Sequence, residues 1–291
     1  MTFLRTLALL LLLLCSGFVR RDVPAPPPPR EEWISLFNGK DLTGWDIKIT
    51  GFALNENFKE TFRVQDGMLQ VSYDRYDKFT NEFGHIYYRQ PYSHYRLRME
   101  YRFVGEQLTG GPAWDIRNSG VMVHSQSAAS LTRDQEFPVS LEMQFLGGLG
   151  KGPRTTGNLC TPGTQVYMDG KLNPAHCINS SSATYEGDRW VRAEMEVFGD
   201  SIIRHLVEGQ TVLTYQKPIV AETGEDVGRY LHGDWAQKIG TPLKEGYIAL
   251  QAESHPIHFR KIELLNLKGC TNRRCPNYKP QYVVSGPCNC R

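Results

Sequence analysis

Two carboxylates, three carboxamides and an imidazole recur at alternate positions in three short runs of this sequence, where they could converge on one polar ligand and move protons on it. The runs are Asn118-Ser119-Gly120-Val121-Met122-Val123-His124, Ser140-Leu141-Glu142-Met143-Gln144-Phe145 and Ile248-Ala249-Leu250-Gln251-Ala252-Glu253. Side chains alternate across a strand, so Asn118, Met122 and His124 share one face, as do Ser140, Glu142 and Gln144, and Ala249, Gln251 and Glu253. The opposite faces are apolar and belong to a core. Glutamate and histidine are general acid and base types, and Asn and Gln can hold a polar ligand by hydrogen bonds. The plain alternative is that these are ordinary wet strand faces. Arg96-Leu97-Arg98-Met99-Glu100-Tyr101-Arg102 and Arg192-Ala193-Glu194-Met195-Glu196-Val197 show what such a face looks like here, with long side chains of mixed charge.

The elements that position these groups are strands. From Trp33 to Leu267 short strand patterns follow one another, separated by turn signals such as Gln65-Asp66-Gly67, Phe198-Gly199-Asp200 and Glu208-Gly209-Gln210, and no long stretch keeps a helical period. The expected fold is all-β, a two-sheet antiparallel jelly-roll sandwich. Two long excursions, Gly105–Arg117 and Gly147–Gly163, lie at the ends of the polar-faced strands, and loops of this length are commonly functional.

The chain divides by composition into a signal peptide (1–17), a proline-rich linker (18–32), the sandwich (33–267) and a cysteine-rich tail (268–291). The apolar run Leu7 to Leu14 after Arg5 is far shorter than the about 20 residues of a membrane span. It predicts export to a periplasmic or extracellular compartment, with simple cleavage after Gly17 favoured over a lipid anchor on Cys15. The remaining six cysteines are an even set that reads as disulfides in an exported protein. Cys160 and Cys177 bracket one irregular stretch, and Cys270, Cys275, Cys288 and Cys290 crowd into the tail; a zinc site made from those four is the competing reading. Lys and Arg number 33 against 31 Asp and Glu, and no basic cluster is interleaved with aromatics, so no nucleic-acid partner is expected.

The opening Trp33-Ile34-Ser35-Leu36-Phe37-Asn38-Gly39-Lys40-Asp41-Leu42-Thr43-Gly44-Trp45 resembles that of the 3-keto-disaccharide hydrolase domain family. Further matches follow in family order: Val64-Gln65-Asp66-Gly67, Asn118-Ser119-Gly120, Glu142-Met143-Gln144, Thr156-Gly157, Ile248 to Glu253, and Phe259-Arg260-Lys261-Ile262. The resemblance covers nearly all of residues 33–267. It implies a concanavalin A-like jelly roll of the lectin and glucanase type, and cleavage of glycosides already oxidised to a ketone at sugar carbon 3. The chain departs from the family pattern in its enlarged Gly105–Arg117 and Gly147–Gly163 loops and in the Cys160/Cys177 pair.

A ketone at carbon 3 acidifies the hydrogen at carbon 2, so one base can start elimination of the oxygen on carbon 1, and water then adds back. That chemistry needs a base, donors for the developing enolate oxygen and an acid for the leaving oxygen. Glu142 is the expected base; His124, Glu253 and His255 are the candidates for acid or second base; Asn118, Gln144 and Gln251 would bind hydroxyls and the ketone. Trp114 and Trp235 could stack on a sugar ring, and Arg117 could orient its strand or touch substrate. No cofactor is expected, although His124, Glu142 and Glu253 are suitable ligand types should a divalent metal polarise the ketone. The expected partner is a carbohydrate, with no membrane span, and the sequence leaves the oligomeric state open.

Each assignment has a structural counterpart: Glu142 paired with Arg154 or Arg117, His124 and His255 as hydrogen-bonded core residues, and the tryptophans as plugs. Two rival functions stand beside the elimination. One is a conventional glycosidase using two carboxylates about 5–9 Å apart, for which Glu142 and Glu253 are the available pair. The other is a non-catalytic carbohydrate-binding jelly roll.

Overall fold

In a computed structural model, which describes residues 31–290, the strand patterns pair into two large antiparallel sheets. The larger sheet runs Lys171–Asn173, Thr164–Met168, Gln210–Val220, Ile202–Val207, Val191–Phe198, His94–Phe103, Ile257–Asn266, Met68–Val71 and Phe62–Gln65, with Ile34–Ser35 also paired to Ile257–Asn266. The smaller runs Cys177–Ile178, Asn158–Cys160, Leu141–Leu146, Asn118–Ser125, Gly246–Ala252, Gly84–Tyr92 and Trp45–Ile49. The three polar-faced runs are therefore consecutive neighbours in one sheet. The expectation of a two-sheet β-sandwich holds, and the described residues contain one short α-helix, Glu225–Tyr230. Trp45–Ile49, an edge strand, lacks the alternation that marks the others and escapes a reading by period.

The sheets meet through the apolar positions of the alternating strands. Leu141, Met143 and Phe145 of one sheet, and Leu97, Met99 and Tyr101 of the other, are all buried in one cluster. Phe145 stacks on Tyr101 with ring centroids 4.2 Å apart, and full burial of such a side chain contributes about 2–3 kcal/mol. The far face of the larger sheet is solvated: Trp190 lies beneath the guanidinium groups of Arg260 and Arg102, 3.9 and 4.7 Å from its ring centre. On the far face of the smaller sheet, by contrast, His85, Asn118, Glu142 and Gln251 are buried.

Cys160–Cys177, Cys270–Cys288 and Cys275–Cys290 form disulfides. The four tail cysteines are paired in the last two of these bridges, and their sulfurs lie within 4.8 Å of one another. Bonded cysteines point to an oxidising, non-cytoplasmic compartment. No described helix is long and apolar enough to cross a membrane. The expected signal peptide, Cys15 and the prolines up to residue 29 lie outside the described residues.

Candidate active site

Leu141–Leu146 lies between Asn118–Ser125 and Asn158–Cys160, with Glu142 opposite Met122 on one side and Cys160 on the other. Because its odd-numbered neighbours fill the core, Glu142 and Gln144 project from the outer face. Loops 105–117 and 147–157 rise around that face and enclose a cavity of about 650 Å³, whose polar lining includes Asn118, Glu142, Gln144, Arg154 and Glu253. Glu142 is 6% exposed and makes no hydrogen bond or ion pair among the described residues. Of the cations suggested for it, Arg117 donates instead to Asp188 (2.6 Å) and to the Gly187 carbonyl (3.1 Å), and Arg154 donates to the carbonyls of Gly147 (2.6 Å) and Arg117 (3.2 Å).

Glu253 follows the last residue of Gly246–Ala252, and the next residue, Ser254, turns the chain with a φ of 58°. A left-handed serine is a strained choice that its surroundings must hold. They do: its N–H donates to the Tyr73 hydroxyl (2.9 Å), Gln107 Nε2 donates to its Oγ (3.0 Å), and that hydroxyl donates to Asp115 Oδ2 (3.2 Å). Asp115 is thus brought in from the Gly105–Arg117 loop, fully buried. It was not among the candidates, and an aspartate in a loop between a tryptophan and an isoleucine carries no periodic signal that would single it out.

Burial governs the charge of these acids. It pushes the Glu142 carboxyl up to about 8, and Asp115 up to about 7 against the lowering effect of the Ser254 hydroxyl. Burial, with added repulsion from Glu142 and Asp115, lifts Glu253 well above the carboxylate range. Three mutually sensitive carboxyls cannot all ionise together near neutrality. Glu253, which carries repulsion as well as desolvation, is lifted furthest and holds its proton most firmly of the three.

Fixed donors surround them. Gln144 Oε1 accepts from Asn158 Nδ2 (3.1 Å), and Asn158 is held in turn by Thr155 and Ser180, so the Gln144 amide N–H groups are left for the cavity. Asn118 Oδ1 and Glu253 Oε2 are buried with no protein partner. Arg154 is half-buried, and its charge, which burial and the neighbouring Arg117 disfavour, persists because a guanidinium does not lose its proton in proteins. The sequence offers Arg154 only as a structural partner of Glu142, whereas here it lines the cavity.

The other expected residues are dispersed. Gln251 faces the same side but does not line the cavity; it is level with His85 on one flank and next to Gly120 by continuation of the ladder on the other, and both its amide atoms lack partners. His255 is buried edge-on to Phe103 (5.6 Å), held neutral by burial with its pKa lowered to about 4, and does not line the cavity. Trp114 stands at the cavity mouth, 53% exposed. Trp235 borders a different groove.

His124 is a correction. Ser125 pairs with Tyr247 and Met122 with Ala249, so two residues, Val123 and His124, stand opposite Ile248 alone. This bulge, with His124 at a φ of 48°, reverses the alternation and sends the imidazole into the sandwich. There Nε2–H donates to the carbonyl of Gly199 at 3.0 Å. His124 therefore takes no part in the cavity, and the metal set of His124, Glu142 and Glu253 cannot assemble. The donors that a cation would find are oxygens, from Glu142, Glu253 and Asn118, a set suited to a hard divalent ion.

Residues 32–265 match the sequence model of the family described as the 3-keto-alpha-glucoside-1,2-lyase-like domain. No curated protein matches the chain. Among solved structures, two Parabacteroides distasonis proteins provisionally described as glycosyl hydrolases are 17% and 19% identical. Both alignments cover 81% of this chain, with 100% and 94% of theirs, and both give a TM-score of 0.46. The β-glucanase of Bacillus licheniformis is 13% identical over 82% of this chain and 99% of its own, with a TM-score of 0.43. At these identities the likeness is one of fold alone, and no activity passes to this chain by it. The family match is different in kind, because it spans the motifs from Trp33 to Ile262 in order, and by it the chain belongs to the 3-keto-alpha-glucoside-1,2-lyase-like domain family.

Proposed function

We propose that this protein cleaves 3-keto-glycosides by elimination across carbons 1 and 2, followed by hydration. The observation that carries the reading is that Glu142 and Glu253, two buried carboxyls without cationic partners, open on one cavity that also holds a guanidinium and fixed amides. Membership of a family described by a 1,2-lyase activity on 3-keto-α-glucosides agrees with it.

Glu142 takes the proton from carbon 2, and the electron pair passes to the ketone oxygen. Arg154 and the Gln144 amide donate to that oxygen as its charge develops, as donors already fixed in place by their other bonds. The enolate then re-forms the ketone and expels the oxygen on carbon 1, which takes the proton of Glu253 as it leaves. The sugar is now an enone with a double bond between carbons 1 and 2. In the second half Glu253 accepts a proton from water, the hydroxide adds to carbon 1, and Glu142 returns its proton to carbon 2. Both carboxyls end as they began, and the net change is hydrolysis.

The decisive experiment offers the purified protein a methyl 3-keto-glucoside and its unoxidised parent, and adds a deuterium label at carbon 2. Release of methanol from the ketone alone, slowed by the label, is the expected result. Equal release from both sugars would instead indicate a conventional two-carboxylate glycosidase.

A further inference from the structure

The floor of the cavity is polar, whereas one side of its mouth is apolar; exposed His176 and Arg229 also line the cavity. Six large apolar side chains are markedly exposed among the described residues, and two of them, Trp114 (53%) and Leu149 (42%), line this one cavity. Each is put there by its backbone. Trp114 precedes the buried Asp115 in the turn Ala113–Asp115, so the contact that draws Asp115 under Ser254 leaves the indole outside, its ring nearly parallel to that of Phe83 at 5.9 Å. Leu149 sits at the tip of a loop pinned on both sides, where Gly148 N–H donates to the Tyr185 carbonyl (2.8 Å) and Gly150 N–H to Glu186 Oε2 (3.0 Å). Gly150, at a φ of 68°, allows the turn that follows. Buried Phe137 and Tyr230 continue the apolar wall inward.

Apolar side chains held out in water by ordered loops mark a surface meant for covering. The covering group must share the cavity with a sugar on the polar floor, so it is part of the same ligand. We infer that the mouth is an aglycone subsite, and that the preferred substrates carry an alkyl or aryl group, not a second sugar, on the oxygen of carbon 1. The inference rests on the assignment of the cavity as the reaction site. Trp114 and Leu149 are its specificity-determining residues. Their contacts are made to a part of the substrate that does not react, so they act on binding and on kcat/KM.

The test compares the hexyl and methyl 3-keto-α-glucosides, whose leaving alcohols are of similar acidity, with a 3-keto-disaccharide as third substrate. The hexyl compound should exceed the methyl one in kcat/KM by about tenfold or more. In Trp114→Ser and Leu149→Ser that ratio should fall toward one, whereas Leu54→Ser, at an exposed apolar residue that does not line the cavity, should leave it as it was. A ratio near one in the unmodified protein, or a loss in Trp114→Ser confined to the disaccharide, would overturn the inference. Calorimetric binding of unoxidised hexyl and methyl glucosides separates it from the proposed reaction. Tighter hexyl binding that depends on Trp114, with no turnover of any ketone, would keep the subsite and remove the chemistry. Turnover with no preference for hexyl in either assay would do the reverse.

Discussion

The Glu142 side chain lies in the space that Gly120 leaves by having no side chain of its own. The two residues are diagonal neighbours on adjacent strands, Gly120 being level with Gln144 and Glu142 with Met122, and a methyl group on Gly120 would sit 2.7 Å from Glu142 Cγ and still closer to its carboxylate. Nothing in the backbone at Gly120 forbids alanine, so the collision alone decides the outcome. Gly120→Ala should fold normally and lower kcat by roughly a hundredfold, because a shift of about 1 Å in a reacting group costs that much. Circular dichroism and steady-state rates measured together check it; an alanine variant with full activity would show that Glu142 need not rest where it does.

Glu142→Gln removes the base and also a charge that the fold resists. Turnover of a 3-keto-glycoside should fall by about 10²–10⁴-fold with little change in affinity. Stability should move the other way. The Glu142 pKa is raised on folding from 4.5 to about 8, so its favourable contribution is complete below 4.5 and is lost as pH rises through about 8. Glutamine escapes that loss. The variant should match the unmodified protein near pH 4.5 and exceed it by several kcal/mol, on the order of 5, above pH 8. Denaturant unfolding at the two pH values would contradict the burial argument if the gap were the same at both.

The pH–rate profile follows from the same carboxyls. Glu142 must be ionised, so kcat/KM should climb about tenfold per pH unit on the acid side and bend near 8. Glu253, held protonated by burial and by its neighbours, should close the profile on the alkaline side. In Glu253→Gln the alkaline limb should vanish, and the loss in rate should be large for a methyl glycoside and small for a nitrophenyl one, whose oxygen leaves without a proton. Equal losses for both leaving groups would deny Glu253 the role of acid.

Sequence alternation found what depends on alternation. Glu142, Gln144, Gln251 and Glu253 lie on the outer face because Leu141, Met143, Leu250 and Ala252 are drawn to the core, and a period of two carries that information. The order of the strands did not come through: Asn118–Ser125 stands between the strands that carry Glu142 and Glu253, and a period of two says nothing about which strands are neighbours. What alternation cannot register is a change of its own phase. The one-residue bulge at Val123–His124 leaves the sequence looking regular while it moves the imidazole to the opposite face. Asp115 and Arg154 were illegible for another reason: both come from loops, and their positions follow from the strained turn at Ser254 and from two backbone carbonyls, which have no sequence signature.

Cys160 pairs directly with Glu142 in the ladder and is bonded to Cys177, which is exposed and lines the cavity with it. The bridge spans 17 residues, and closing a loop of that size stabilises by about 3 kcal/mol in the chain-entropy account. Replacing both cysteines by serine should lower stability by about that amount and reduce kcat/KM, because Asn158 and the strand that carries it lose their outer support. The comparison is with the double substitution of Cys275 and Cys290 in the tail, far from Glu142 along the chain, which should leave kcat/KM within about twofold. Equal kinetic effects from the two pairs would remove any special link between the Cys160 bridge and the site.

His124 offers the sharpest contrast between appearance in the sequence and place in the fold. Burial lowers its pKa to about 4, against the raising effect of its bond to Gly199, so the ring is neutral near pH 7. Its work is to join the two sheets through the Gly199 carbonyl. His124→Phe keeps an aromatic ring in that space and removes the donor, leaving a buried carbonyl without a partner, at a cost of about 1–3 kcal/mol. On the folded fraction, kcat/KM should stay within about twofold and the pH–rate profile should keep its shape, since no step passes through this imidazole. A variant of unchanged stability that had lost turnover by a hundredfold would return His124 to the catalytic set, and the bulge at Val123–His124 would then have to be absent in the protein as it works.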